Sequence, residues 1–230
     1  MDEISVIKKR LISILLILIF PGIQIFIGGC ITSQPSKFYI LTPTKYNIDK
    51  IENNVADTQT ISLQNKNFTI GVGPVTIAKY LDRSQLVVRL TPNQIRLEDF
   101  HQWAGSPRDD IPSILTENIS SLVGIDTIYK YPWQSYAEID YQIAVEIIQL
   151  DGRPDDSVRL VARWEIIRGS SKSNVRGSIV KSGKTDLTEP VSDSALEALS
   201  VNRFDSFAAS QSRALGRLSK IIAISLMELL

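Results

Sequence analysis

Residues 138–168, EIDYQIAVEIIQLDGRPDDSVRLVARWEIIR, decide the fold class of this chain. Over Glu138–Leu150 and again over Ser157–Arg168, apolar residues alternate with polar ones at a period of two. That period indicates strands with one buried face, and the turn residues Asp151–Pro154 between them predict antiparallel pairing. We therefore expect a long β-hairpin with Trp164 on the face that packs against the core.

Weaker strand patterns lie on both sides of this hairpin. After a Gly-Ser turn, Asn174–Lys181 is typical of a third antiparallel strand. The segment Val75–Arg83 shows no alternation and is expected to be irregular. The strand-like segments upstream of the hairpin are Lys37–Leu41, Phe68–Val72, Gln85–Leu90 and Gln94–Leu97.

Two amphipathic helices complete the pattern. In Asp109–Val123 apolar residues recur at helical spacing, Asp109 or Asp110 is suited to cap the start, and Gly124 is suited to end the helix. A second apolar stripe at helical spacing runs through residues 192–229. The order of strands, helix, strands and helix predicts an α+β fold, in which a mostly antiparallel sheet packs against these two main helices.

The N-terminus has the pattern of a secretion signal. A basic cluster at Lys8–Arg10 precedes the apolar run Leu11–Phe20. Ile27–Cys30, which reads IGGC, resembles the lipobox of bacterial lipoproteins, in which small residues let enzymes modify the cysteine thiol and cut before it. We predict that residues 1–29 are a cleaved signal peptide and that Cys30 carries the lipid.

Two other interpretations of this region stay open. Leu11–Gly29 has 19 residues and would be roughly 28 Å long as a helix, which is enough to span a bilayer as an uncleaved anchor. A lone cysteine is also often a small buried core residue. The position of Cys30, past the apolar run and after two glycines, favours lipidation over both.

The predicted mature chain begins with a lipidated tether, residues 30–36, followed by a single domain over 37–230. Within that domain, residues 42–66 are rich in Asn, Asp, Gln and Thr and are expected to form a long polar loop. Ile31 follows the cysteine, at the position where aspartate retains lipoproteins at the inner membrane in enterobacterial-type sorting. An isoleucine there favours the outer membrane, with the domain on its periplasmic face.

Composition argues against several classes of partner. The formal net charge is +0, without the basic excess that nucleic-acid-binding proteins carry. The chain has one cysteine and one histidine, so it cannot form an intrachain disulfide. A histidine- or cysteine-based metal site needs about three or four ligands. We expect no nucleic-acid partner, no metal and no cofactor.

No catalytic site is expected either. A Ser-His-Asp triad would need His101, the one histidine, and the sequence has no Gly-x-Ser-x-Gly elbow. The adjacent carboxylates Asp109-Asp110 and Asp155-Asp156 suit turns and helix caps rather than acid–base pairs. The sequence also has no Walker A motif, so energy for any transport would come from another subunit. We predict a protein that is not an enzyme.

Four segments, in this order along the chain, resemble one known family. Lys37–Leu41 resembles its tyrosine-containing strand just past the lipidated cysteine, and Ile70–Arg83, a strand followed by Gly-Pro-Val and Tyr-Leu-Asp-Arg, looks like its commonest motif. Phe100–Ala104 resembles its F-x-x-W-A element, and Trp164 stands where the family has a tryptophan strand. The family is the ABC-transport auxiliary lipoproteins of the PqiC-like type. The polar insert at 42–66 departs from its pattern.

The resemblance implies an outer-membrane-anchored periplasmic subunit of an envelope transport system. Such systems pair an ABC ATPase and permease with a protein that bears MCE domains, move lipids or other hydrophobic compounds, and preserve membrane integrity. The alternative is a periplasmic carrier lipoprotein that binds a lipid itself. A carrier needs an apolar cavity of about several hundred Å³, whereas a docking subunit needs a solid core and an exposed patch.

The candidate partner contacts are Tyr80, Leu81, Arg83, His101 and Trp103. They lie in segments without alternation and combine aromatic or apolar side chains with charge, which suits an interface with an apolar centre and a polar rim. Core packing is the other interpretation of the aromatic and apolar members, and it is the favoured one. The partners implied are the membrane, through the lipid, and an MCE-domain protein. An interface of this kind repeats readily around a symmetry axis, so a homo-oligomer is compatible with it.

Overall fold

The computed structural model describes Lys8 and residues 34–44, 68–125, 127–133, 138–169, 177–191 and 203–230. Residues 36–230 form one compact unit. Apart from Lys8, the predicted signal peptide lies outside the described residues, and so do Cys30 and the predicted loop from residue 45 onward. Lipidation, signal cleavage and the polar loop therefore stay predictions.

Eight strands and two helices lie in the described part of the chain. The helices are α1 (Pro107–Val123) and α2 (Arg203–Met227). The strands are β1 (Lys37–Tyr39), β2 (Ile70–Ile77), β3 (Gln85–Thr91), β4 (Gln94–Trp103), β5 (Ile128–Lys130), β6 (Tyr141–Gly152), β7 (Ser157–Arg168) and β8 (Ser178–Pro190).

The hairpin predicted from the alternation is confirmed. Strands β6 and β7 pair antiparallel, with Val145 opposite Trp164, and β8 pairs antiparallel with the other edge of β7. Trp164 is buried, as its position in the alternation predicted, and its indole N–H donates a hydrogen bond of 3.1 Å to the hydroxyl of Thr185. The third strand is longer than predicted and continues to Pro190, because Thr185 and alternate residues after it bury the inward face of a sequence that is otherwise polar.

The α+β class is confirmed, but the sheet is mixed rather than mostly antiparallel. Strand β2 pairs parallel with both β6 and β5, and β1 pairs parallel with β4. Alternation records which face of a strand is buried and carries no information on the direction of its neighbour. Parallel neighbours must be joined by a long connection, and the connection from β2 to β6 contains α1.

The sheet forks at β6. The first part of β6, from Tyr141 to Ile147, pairs with β2, whereas its far end pairs with β3 at a single position, Val88 opposite Gly152. Strand β3 then continues the sheet through β4 to β1. The β3–β4–β1 branch is therefore joined to β6 through very little backbone pairing, and side chains must hold it there.

Both helices pack on one face of the sheet and on each other. Helix α1 contacts β2 and β5, and α2 contacts β7 and β8. Gly124 ends α1 in the left-handed conformation, with φ 69° and ψ 30°, as predicted. The start differs from the prediction, because Ser106 is the N-cap residue and both aspartates lie in the first turn. Residues 192–202 lie outside the described residues, so only the part of the second predicted helix from Arg203 onward is confirmed.

Strand also covers residues that the sequence pattern did not assign to strands, in the segment Val75–Arg83 and after Leu97. Strand β2 runs on to Ile77, and β4 runs through Phe100 to Trp103. In both segments the register shifts beside a bulge, at Val72/Val75 in β2 and between residues 98 and 102 in β4, which breaks the period of two that alternation looks for. None of the helices in the described part of the chain is long and apolar enough to cross a membrane.

Candidate docking surface

The structure brings together the two segments that carry the predicted partner contacts. The chain turns after β2, and the N–H of Trp103 at the end of β4 donates a hydrogen bond of 2.6 Å to the carbonyl of Ser84. The N-terminus of α1 adjoins the same turn, where Arg108 forms an ion pair with Asp82. Turn, strand end and helix start therefore form one corner of the molecule.

Leu81 and Trp103 lie inside this corner rather than on it. Their exposed fractions are 7% and 8%. Together with Val87 from β3 and Ile111 from α1 they line an apolar hollow of about 20 Å³, which is room for about one water molecule. Leu81 and Trp103 therefore pack in the core, as the favoured interpretation predicted. Contact of either residue with a partner stays a prediction.

Tyr80 is held by a buried ionic cluster. Its hydroxyl donates a hydrogen bond of 2.6 Å to Oδ2 of Asp151, a residue with no exposed surface. Arg89 donates two hydrogen bonds, of 2.6 and 2.7 Å, to the same carboxylate, and Gln149 donates a third, of 2.9 Å. Burial, and then the bond to Asp151, raise the pKa of Tyr80 well above its usual value, so the phenol stays protonated.

This cluster closes the fork of the sheet. Asp151 lies in β6, Arg89 lies in β3, and Tyr80 follows β2, so the carboxylate ties together the three strands that meet there. The sequence pattern had indicated that Asp151 is a turn residue and gave no sign that its carboxylate joins three strands. Nothing in the local sequence distinguishes a buried aspartate from a turn aspartate, because its partners lie about sixty to seventy residues away.

Arg83 stays at the surface of the corner. It is half-buried, and its Nε donates a hydrogen bond of 2.8 Å to the carbonyl of Tyr80, which fixes the side chain across the turn. Beside it lie the exposed Lys79 and the Asp82–Arg108 ion pair. Among the predicted contacts, Arg83 thus keeps its guanidinium group accessible, beside neighbouring side chains of both charges.

His101 is packed between aromatic rings. Its ring stacks on Phe204 of α2 with centroids 3.8 Å apart, and its Nδ1 lies 2.7 Å from the hydroxyl of Tyr39. Burial lowers the pKa of His101, which favours the neutral ring, and a hydrogen bond joins that ring to the Tyr39 hydroxyl. This arrangement joins β1 and β4 to α2 and shows a structural contact; a partner contact for His101 stays a prediction.

Three exposed apolar side chains lie in β1, just after it and in β4. Phe38 is 63% exposed, Ile40 is 64% exposed, and Phe100 is 41% exposed. None of the three was among the predicted partner contacts. The available signal was the alternation of residues 38–41, in which Phe38 and Ile40 are exposed and Tyr39 and Leu41 are buried.

A second hollow in the described part of the chain is open to solvent and has charged residues in its lining. It has a volume of about 400 Å³ and lies beside the β6–β7 turn. Three arginines line it, and each is paired with an aspartate: Arg89 with Asp151, Arg153 with Asp155, and Arg159 with Asp186. An open cleft with ion-paired arginines in its lining differs from the enclosed pocket that an acyl chain fills.

The family model described as "ABC-type transport auxiliary lipoprotein component" matches residues 49–223. No match was found among curated proteins. One solved structure, the crystal structure of an uncharacterized protein, is 13% identical with a TM-score of 0.60, over 84% of this chain and 99% of that one. Another, a DUF330 family protein from Xanthomonas campestris, is 15% identical with a TM-score of 0.57, over 82% of this chain and 93% of that one. At these identities the likenesses show the fold alone.

Proposed function

The chain belongs to the family of ABC-type transport auxiliary lipoprotein components, and from that premise we propose that it is a non-enzymatic docking subunit of an MCE/ABC-type envelope transport system. In this proposal the lipid on Cys30 anchors it to the outer membrane, and the folded domain faces the periplasm. There it binds the MCE-domain protein and supports the movement of lipids or other hydrophobic compounds.

The observation that supports a docking role over a carrier role is the solid core. The apolar hollow between sheet and helices measures about 20 Å³, and the second hollow, of about 400 Å³, is a cleft open to solvent with three ion-paired arginines in its lining. A ligand-binding pocket has about 300–1,000 Å³ with a mainly apolar lining. Neither hollow has the size and the lining that a bound lipid requires.

The docking surface in this proposal is the corner around Arg83. The buried Leu81 and Trp103 give the corner a rigid base, and the ionic cluster below Tyr80 fixes the turn. Arg83, Lys79 and the Asp82–Arg108 pair form the polar part of the contact. Rim charges of this kind set partner choice and association rate more than affinity.

The test of the partner is copurification from cells that express the MCE-domain protein. Arg83→Glu should weaken copurification and leave thermal stability nearly unchanged, since the side chain lies at the surface. Tyr80→Phe is the matched structural control, because it removes the hydrogen bond to Asp151 and leaves the outer surface of the turn intact. If Arg83→Glu copurifies normally at reduced and at physiological salt, the corner around Arg83 is not the interface with the MCE-domain protein.

The test of the anchor is Cys30→Ser. The variant should be found unprocessed or free in the periplasm, because stable anchoring needs several acyl chains at about 0.8 kcal/mol per buried methylene. A variant that is cleaved normally and stays with the membrane would contradict lipidation. The carrier alternative has its own measurement: one lipid per chain after gentle purification, by mass spectrometry, would favour it.

A further inference from the structure

We propose that Phe38, Ile40 and Phe100 form a membrane-contact surface that lies against the bilayer to which the chain is anchored. The inference rests on the proposed lipid at Cys30 and adds a second contact, made by the folded domain itself. The partner in this contact is the lipid surface, and the contact orients the domain relative to the membrane.

The three side chains lie at one edge of the sheet. Over residues 38–41 exposure alternates, so Phe38 and Ile40 are exposed while Tyr39 and Leu41 are buried. Phe38 lies opposite Gln102 of β4, and Phe100 is an exposed residue in the bulged stretch of β4 just before Gln102. Large apolar groups exposed to 63%, 64% and 41% at one sheet edge form a patch that the described part of the chain leaves uncovered.

The length of the tether places this patch near the bilayer. Phe38 follows Cys30 by eight residues, which span at most about 29 Å when fully extended. A globular chain of about 195 residues has a diameter of roughly 40 Å. The tether is therefore shorter than the domain is wide, which keeps the edge of the domain that carries β1 within about 29 Å of the membrane.

The chemistry of the surface fits shallow insertion rather than attraction by charge. The charged groups near His101, in and beside the strands that carry the patch, have both signs: Lys37 and Arg203 are positive and Glu98 is negative. The formal net charge of the chain is also +0. Apolar side chains that enter the headgroup boundary bind through buried area. We expect the contact to form on zwitterionic lipid and to persist at high salt.

The experiment uses the intact lipidated protein in phosphatidylcholine vesicles whose acyl chains carry bromine. Because Cys30 is the one cysteine of the sequence and is blocked by lipid, Ile40→Cys creates a unique labelling site for a fluorophore that bromine quenches. Lys184→Cys, at an exposed position of β8 at the opposite edge of the sheet, is the matched control. We expect the label at position 40 to lose most of its fluorescence and the label at position 184 to keep it.

A second labelled variant tests whether the result is peculiar to position 40. Phe38→Cys should repeat the quenching, and both variants should unfold at the wild-type temperature, since each replaces an exposed side chain. Iodide in the aqueous phase supplies the reciprocal measurement: it should quench the label at position 184 and spare the labels at positions 38 and 40.

Three results would overturn the inference. Labels at positions 38 and 40 that only iodide reaches would show that the patch faces water. Labels that neither quencher reaches, in vesicles and in detergent alike, would show that a second copy or a protein partner covers the patch. Labelling of the wild-type protein would show a free thiol at Cys30, which removes the anchor and with it both proposals; an unlabelled wild type confines any failure to the membrane contact.

Discussion

The antiparallel part of the sheet, β6–β7–β8, and the branch formed by β3, β4 and β1 differ in what holds them together. In the antiparallel part, neighbouring strands follow one another in sequence and pair over eleven or more positions. The branch meets β6 at one backbone position, and a buried ionic cluster makes the join. Where neighbouring strands share a long ladder of backbone hydrogen bonds, the ladder and apolar packing hold them together. Where the ladder is one position long, hydrogen bonds between buried side chains help to join the strands.

The same difference separates the two kinds of surface in the molecule. The outer positions of β7 and β8 carry exposed ion pairs such as Arg159 with Asp186, as expected of a solvated strand. The outer positions of β1 and β4 carry Phe38 and Phe100. The two surfaces are mixed, since β8 also exposes Ile179 and β4 carries the Arg96–Glu98 ion pair, but the branch has exposed aromatic side chains on two adjacent strands.

The largest expected effect tests the antiparallel part. Trp164→Ala should lower the free energy of unfolding by about 3–5 kcal/mol, because it removes a buried indole and leaves a cavity. Denaturant titration gives the value. Trp164→Phe, which keeps an aromatic ring but removes the pyrrole part of the indole and the hydrogen bond to Thr185, is the intermediate control. A loss below about 1 kcal/mol for the alanine variant would show that packing of β7 does not carry this part of the fold.

The next effect tests the fork. Asp151→Ala should cost about 3 kcal/mol, because it leaves Arg89 and Tyr80 without the carboxylate that they share. The cost lies at the low end for a buried pair, since the Arg89 side chain is 25% exposed and regains some water. Asp186→Ala removes the partner of Arg159 at the surface and should change the denaturation midpoint far less. Equal midpoints for the two variants would mean that the cluster does not hold the branch.

A smaller effect tests how closely the antiparallel part is packed. Gly183 lies opposite Trp164, and a Cβ at this position would overlap Cζ2 of the indole. Gly183→Ala should therefore destabilise the protein by about 1–2 kcal/mol, although alanine suits a strand better than glycine. Ser182→Ala, one residue away with its side chain exposed, is the matched control. Thermal unfolding that shows equal or higher stability for Gly183→Ala would contradict this packing.

The smallest effect tests the branch through pH. Burial lowers the pKa of His101 below 6.5, so the unfolded chain binds the proton more readily than the folded one. The contribution of the neutral ring is present above the unfolded pKa and is lost as pH falls through the lower folded pKa. Part of the stability lost below about pH 6.5 should therefore be absent in His101→Gln, as measured by denaturant titration at several pH values. Parallel pH profiles for the two proteins would show that His101 does not titrate on unfolding.

The sequence by itself determined the elements whose signals are local. The period-two alternation from residue 138 to 168 defined the hairpin and the inward position of Trp164, because both strands and their turn are contiguous. Helical spacing and Gly124 defined α1 and its end. The ordered motifs defined the family, which the match over residues 49–223 confirms. A strand or helix that buries one face records that face in its own residues.

Only the tertiary structure decided strand direction, the fork and the fate of the candidate contacts. The parallel pairing of β1 with β4 joins Tyr39 to Trp103, and nothing in either strand specifies the other. The ionic cluster likewise joins Asp151 to residues far from it in sequence. An aromatic residue outside the alternation has the same local pattern whether it packs or docks. The burial of Trp103 and the exposure of Phe38 were therefore decided by which other segments fold against them.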